Sequence, residues 1–97
     1  EAHTPTNFIL SQNYPNPFNP ITSISFSIPI KQMIRIEIFD LHGRLINNIY
    51  DGIVQPGTHT IRWDATDSYH NTIPSGVYFY RLTSENYFKT RKMLFLK

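Results

Sequence analysis

The sequence predicts an all-β domain, an immunoglobulin-like antiparallel β-sandwich of about seven strands. Three observations carry that prediction. Apolar residues recur at every second position over several short windows, as in strands with one buried face. Turn-forming Asn, Asp, Gly and Pro separate those windows at near-regular spacing, and no window repeats with a helical period. At 97 residues the chain is long enough for one modest core and too short for two.

The first element is a short extended piece from Phe8 to Gln12. Asn13-Tyr14-Pro15-Asn16-Pro17-Phe18-Asn19-Pro20 follows. Each proline there fixes its own φ, removes a donor and pushes the residue before it toward extended geometry, so Tyr14, Asn16 and Asn19 are steered away from helix. The plainest reading is a stiff turn with Tyr14 and Phe18 tucked against the core. Ile24, Phe26 and Ile28 then alternate with Ser23, Ser25 and Ser27 in a half-buried strand that Pro29 ends. Ile34, Ile36 and Ile38 alternate with Met33, Arg35 and Glu37 in a second, whose β-branched side chains suit a pleated surface. Asp40-Leu41-His42-Gly43 supplies an Asx residue and a glycine able to take positive φ, so the chain reverses into a strand from Arg44 to Tyr50.

Asp51-Gly52 and Pro56-Gly57 are expected to bracket a loop. After it His59, Ile61 and Trp63 alternate with Thr58, Thr60 and Arg62, placing Trp63 inward. Asp64 to Thr72 is polar and aperiodic, and Pro74-Ser75-Gly76 turns the chain into Val77–Leu82. Both faces of that strand are apolar or aromatic, so it belongs in the interior of a sheet. Glu85-Asn86 reverses the chain into the last strand, Tyr87 to Leu96.

There is no cysteine, so Trp63, Tyr78, Tyr80 and the set Ile24, Phe26, Ile36 and Ile38 have to supply the core without a disulfide. A buried aromatic removes about 150–250 Å² from water, and three or four of them match what a disulfide usually contributes. The net charge is only +2, and its main cluster, Lys89, Arg91, Lys92 and Lys97, reads as a solvated strand face. Nothing resembles the phosphate-binding stripe of a nucleic-acid partner. No apolar run approaches the roughly 20 residues of a membrane span. The opening Glu1 to Thr6 lacks the basic and apolar regions of a signal peptide, as expected for a piece of a longer precursor.

No catalytic constellation emerges: there is no cysteine nucleophile, no Gly-x-Ser-x-Gly elbow, no phosphate-cradling glycine loop and no His-Glu-x-x-His. The reading is therefore of a non-enzyme with no catalytic residue, no cofactor and no metal. His59 reads as a hydrogen-bonded core or boundary histidine, His42 and His70 as turn residues. Asp64, Asp67 and Asn71 share a loop and offer oxygens to a calcium ion, yet lack the alternating acidic spacing and central glycine of an EF-hand, so a loop stapled by Asx hydrogen bonds is the expectation. Two alternatives stay open: an accessory module stacking sugar rings on exposed aromatics, and a structural spacer.

Six blocks carry a resemblance. They are Leu10 to Pro20, Thr22 to Pro29, Ile38 to Arg44, Pro56 to Asp64, Ser75 to Leu82, and Lys92-Met93-Leu94-Phe95-Leu96-Lys97. In this order they closely resemble the type A C-terminal sorting domain of the type IX secretion system. The middle and last blocks also resemble the immunoglobulin-like domain of flagellar hook-capping proteins, from which the Tyr14-to-Pro20 run separates this chain.

The resemblance implies a domain, about residues 8–97, that directs an upstream cargo of the same precursor across the outer membrane. Residues 1–7 would form a linker or cleavage region, and the domain would be removed or processed after export by the secretion machinery and its surface sortase. The product would be secreted or held at the cell surface. Carried onto this sequence, the motif positions are Pro15, Asn16, Pro17 and Asn19 in the leading motif, Gly76 and Tyr78 in the turn-to-strand motif, and Lys92, Leu96 and Lys97 in the terminal motif. Tyr69-His70-Asn71-Thr72 stands where the family often has a glycine-bearing turn.

Overall fold

The computed structural model describes residues 7–97. The linker or cleavage region expected over residues 1–7 lies, apart from Asn7, outside the described residues. Seven strands follow in order: β1 (Ile9–Leu10), β2 (Thr22–Ile28), β3 (Gln32–Phe39), β4 (Leu45–Val54), β5 (Gly57–Trp63), β6 (Gly76–Thr83) and β7 (Phe88–Phe95). They form two antiparallel sheets, β1-β2-β5 and β4-β3-β6-β7. The fold is thus the immunoglobulin-like sandwich that the alternation pointed to, and β6 lies between β3 and β7 as its two apolar faces require. No described helix is long and apolar enough to cross a membrane.

The core is the inward half of each alternating strand. Ile24, Phe26 and Ile28 of β2 face Ile34, Ile36 and Ile38 of β3, with Tyr78, Tyr80 and Leu82 of β6 and Met93 and Phe95 of β7 beside them. Trp63 closes one end, its indole N–H donating to the Thr66 carbonyl at 3.0 Å. On the outer face of β2 the serines meet the threonines of β5, Ser25 to Thr60 and Ser27 to Thr58, each hydroxyl pair at 2.9 Å. A polar ladder of this kind suits a water-facing surface.

Two local expectations are corrected. Asp51-Gly52 does not open a loop: β4 runs on to Val54, because β3 offers it partners along its whole length, Ile34 opposite Gly52 and Gln32 opposite Val54. The register of that pair slips twice, where Ile49 and Ile46 are skipped, so β4 is bulged and its alternation is broken. The first strand is also shorter than Phe8–Gln12, since only Ile9 and Leu10 pair with β2.

The ends of the sandwich are distinct. Phe8 stacks on Tyr87 with ring centroids 4.3 Å apart, which places Asn7 beside the turn between β6 and β7. This is the proximal end. Lys97 lies at the distal end, where its amide donates to Ser75 Oγ at 2.9 Å. With β7 running from one to the other at about 3.3 Å per residue, the two ends are roughly 25–30 Å apart.

Candidate functional site

The distal end gathers pieces that are far apart in sequence. Asn13 starts the arrangement: it is buried, and its amide group Nδ2 donates to Thr22 Oγ1 at 2.9 Å and to the Pro15 carbonyl at 3.1 Å. Its backbone N–H donates to the Tyr80 hydroxyl at 2.8 Å, and that hydroxyl donates to the Ser11 carbonyl at 2.6 Å. Burial pushes the Tyr80 phenol up to about 12, so it stays a protonated donor through the neutral range. Tyr14 exchanges both backbone bonds with Ser23 at 2.9 Å each, after which the Tyr14–Pro15, Asn16–Pro17 and Asn19–Pro20 bonds are cis. The prolines donate no backbone bond, so only Asn16, Phe18 and Asn19 have amides to place.

Phe18 is the anchor. It is 2% exposed and packs on Phe95 at 5.1 Å and Trp63 at 5.9 Å. Its N–H donates to the Leu94 carbonyl and its carbonyl accepts from Leu96 N–H, both at 3.1 Å, forming a parallel bridge with Phe95. Asn16 Oδ1 accepts from Leu94 N–H at 3.0 Å, and Gln12 Nε2 donates to the Lys92 carbonyl at 2.7 Å. Arg91 Nε also reaches across to the Leu10 carbonyl. The Asn13–Pro20 segment is thereby clasped along the outer edge of β7, the place where an unpaired strand would otherwise stand open.

Each residue expected to carry function can now be placed. Pro15, Asn16, Pro17 and Asn19 are exposed on the clasped segment. Gly76 starts β6 opposite Phe95 with φ +155, a left-handed conformation that disfavours any side chain. Tyr78 is buried and donates its hydroxyl to the Pro74 carbonyl at 2.7 Å; burial pushes its phenol upward. Lys92 is exposed on β7 opposite Phe79, and Leu96 and Lys97 are exposed in the tail beyond it. The leading and terminal motifs, about 70–80 residues apart in sequence, form one continuous surface, with Gly76 beneath it.

The residues that sequence reasoning missed are the fixers: Gln12, Asn13, Thr22, Tyr80 and Arg91. Only Tyr80 gave a signal, a hydroxyl on an inward strand position that must find a partner. Tyr14 corrects the plain reading of the segment, for it is 80% exposed and only Phe18 is tucked in.

Other chemistry resolves locally. Asp40 Oδ1 accepts from the amides of Arg44 and His42, and Arg44 Nε pairs with Oδ2 at 2.8 Å. The Arg44 amide first, with the other bonds, holds the Asp40 carboxyl below its ordinary value. Asp67 Oδ1 accepts from the amides of Asn71 and Tyr69, and the Asn71 bond leads in lowering its pKa. Asp64 Oδ1 accepts from the Thr66 hydroxyl at 2.6 Å. This is the Asx-stapled loop, and His70 supplies its left-handed residue at φ +69 without glycine. His59 is a half-buried boundary residue, its Nε2 bonded to the Gln55 carbonyl at 2.7 Å and its ring 5.6 Å from Phe26. A cleft of about 430 Å³ lies at the proximal end among Met33, Arg35, Asp51 and Thr83, and none of the motif residues lines it.

The sequence matches the model of the secretion system C-terminal sorting domain over residues 12–96. The chain belongs to that family. A sorting domain of this family is the type IX secretion signal that sends its carrier across the outer membrane to the surface or the medium, and the family is not a catalytic one. No curated protein matches the chain.

Among solved structures, the sorting domain is similar to dimeric latent PorU from Porphyromonas gingivalis, with 21% identity and a TM-score of 0.76 over 94% of this chain and 10% of PorU. It is similar to FlgD from P. aeruginosa, with 24% identity and a TM-score of 0.62 over 76% of this chain and 57% of FlgD. PorZ, a surface component of the type IX secretion system of P. gingivalis, matches 89% of the chain at 23% identity and a TM-score of 0.60, over 11% of its own length. These likenesses establish the sandwich. The chain spans about a tenth of PorU and of PorZ and just over half of FlgD.

Proposed function

We propose that the sorting signal is read from the clasped distal surface: Pro15, Asn16, Pro17 and Asn19 on the segment, Lys92, Leu96 and Lys97 on the strand and tail, with Gly76 and Tyr78 holding their shape. The observation that carries this is the clasp itself, since Leu94 and Leu96 bond the Asn16 side chain and the Phe18 backbone. A machine that handles unrelated cargoes needs a surface independent of cargo. A stiff prolyl segment laid against a paired strand offers one at little ordering cost. Lys92 and Lys97 add charge that tunes partner choice and association rate.

In this reading the cargo lies upstream in the same precursor, docking is to the type IX machinery, and its surface sortase removes the domain within residues 1–7 of this numbering. Residues 8–97 then form the sorting domain, which has no catalytic role of its own. Fusing residues 1–97 to a neutral periplasmic reporter, in a host with this pathway, should carry the reporter outside the cell. Retention in the periplasm refutes the sorting reading. Removing Leu96 and Lys97 should stop export while circular dichroism still shows a folded sandwich, and normal export of that variant refutes the role of the tail. The mass of the released reporter locates the cut.

A further inference from the structure

We infer that the proximal half of the β7 edge, Phe88 to Lys92, is a strand-addition site for an extended acidic segment of a partner protein. The phase of the ladder decides which groups are free. Leu94 turns its N–H and C=O away from β6, to Asn16 and Phe18, and in an antiparallel pair that orientation recurs every second residue. Lys92, Thr90 and Phe88 therefore present the same outward groups. Gln12 takes the Lys92 carbonyl; closer to the proximal end only side chains reach across, Arg91 Nε to the Leu10 carbonyl and the Phe8 ring to Tyr87, because the β1 backbone pairs with Ser27 and Phe26 of the other sheet. Among the described residues, the backbone groups of Phe88 and Thr90 and the amide of Lys92 have no partner.

Charge selects the occupant. From Phe88 to the end of the chain there are four cations, Lys89, Arg91, Lys92 and Lys97, and no Asp or Glu. Arg81 adds a fifth beside them: its Nε donates to Thr90 Oγ1 at 3.2 Å, and its guanidinium lies over the Phe39 ring at 5.0 Å and near the Phe88 ring at 5.8 Å. A second copy of the chain would bring like charges to this edge, which opposes self-pairing. An acidic strand meets attraction along the same line. Phe88, 69% exposed, offers its ring to apolar residues alternating with the acidic ones. Main-chain bonds then supply affinity and alternate side chains supply selection, the general logic of strand addition. This goes beyond the sorting surface, which lies toward the distal end of the same strand and shares only Lys92 with this site.

The test uses the 97-residue chain and three probes: an end-capped peptide of about nine alternating valines and glutamates, its valine–lysine counterpart, and polyglutamate. Backbone amide exchange is followed by NMR. The valine–glutamate peptide should slow exchange at Thr90 and Lys92 by roughly tenfold while leaving β2 amides unchanged. Thr90→Pro removes one outward N–H and no bond to β6, a position where an edge strand accepts proline, and should abolish the protection. Lys89→Glu with Lys92→Glu, a surface change that leaves the core alone, should weaken the peptide by up to roughly fivefold per charge, the ceiling for an exposed ion pair. Absence of protection at the edge overturns the inference. So does equal binding of the valine–lysine peptide, equal binding of polyglutamate, or dimerisation of the chain through this edge.

Discussion

Removing a single oxygen atom from Tyr80 should cost the domain a large part of its stability. The ring is fully buried, so Tyr80→Phe keeps the packing and opens no cavity. What goes is the hydroxyl that donates to the Ser11 carbonyl at 2.6 Å and accepts from the Asn13 amide at 2.8 Å. Each of the two bonds is worth about 1 kcal/mol net, and leaving a buried partner unsatisfied adds about 1–3 kcal/mol, so the expected loss is about 3–5 kcal/mol. A domain of this size holds about 5–15 kcal/mol in all, and 1 kcal/mol moves Tm by about 4–8 °C.

Urea melts of the two proteins should therefore differ in midpoint with unchanged slope. The pH dependence supplies a second signature. Because the folded phenol, at about 12, holds its proton more tightly than the unfolded one at about 10, its contribution is full below about pH 10 and lost between pH 10 and 12. Tyr80→Phe should lack that phase, whereas Tyr78, whose phenol burial also raises, keeps its own contribution. Melts within about 0.5 kcal/mol of each other at neutral pH would refute the account of how the segment is held.

Phe18→Ala should destabilise by about 3–5 kcal/mol, read from urea midpoints, whereas Tyr14→Ala, four residues away and 80% exposed, should stay within about 0.5 kcal/mol. Equal effects would contradict the anchor assignment. Gly76→Ala should cost about 1–3 kcal/mol from its backbone conformation alone, since the added methyl meets only Tyr78 at 4.0 Å; a neutral result would contradict that conformation. Asp40→Asn should melt earlier than the parent at neutral pH. The gap should close as pH falls below about 4, because a lowered carboxyl stabilises above its ordinary pKa and stops doing so once protonated; a gap independent of pH would show that the charge is not involved.

How much of this was legible in the sequence depends on the range of the interaction. β2, β3, β5 and β6 were readable because alternation is a local property, and one buried face per strand imposes it. The turn after β3 was readable because Asp40 and Gly43 act within four residues of each other. β4 was truncated in the reading because Asp51-Gly52 looks like a turn, and its pairing with β3 overrides that preference. The motif residues were found by resemblance. Their assembly was not visible, because Gln12 meets Lys92 and Asn16 meets Leu94 across 80 and 78 residues, and no local pattern encodes such a meeting. Asn13 is the clearest case, a polar residue in a proline-rich run that proves to be nearly inaccessible.

The separation between Asn7 and Lys97 has a practical meaning for whatever handles this protein. The first described residues, Asn7 and Phe8, lie beside Tyr87, while the clasp faces the other way. On the reading proposed above, a passenger is attached a full strand length from the clasp. On the same reading, a cut before Phe8 and a grip on the tail engage opposite ends of the domain.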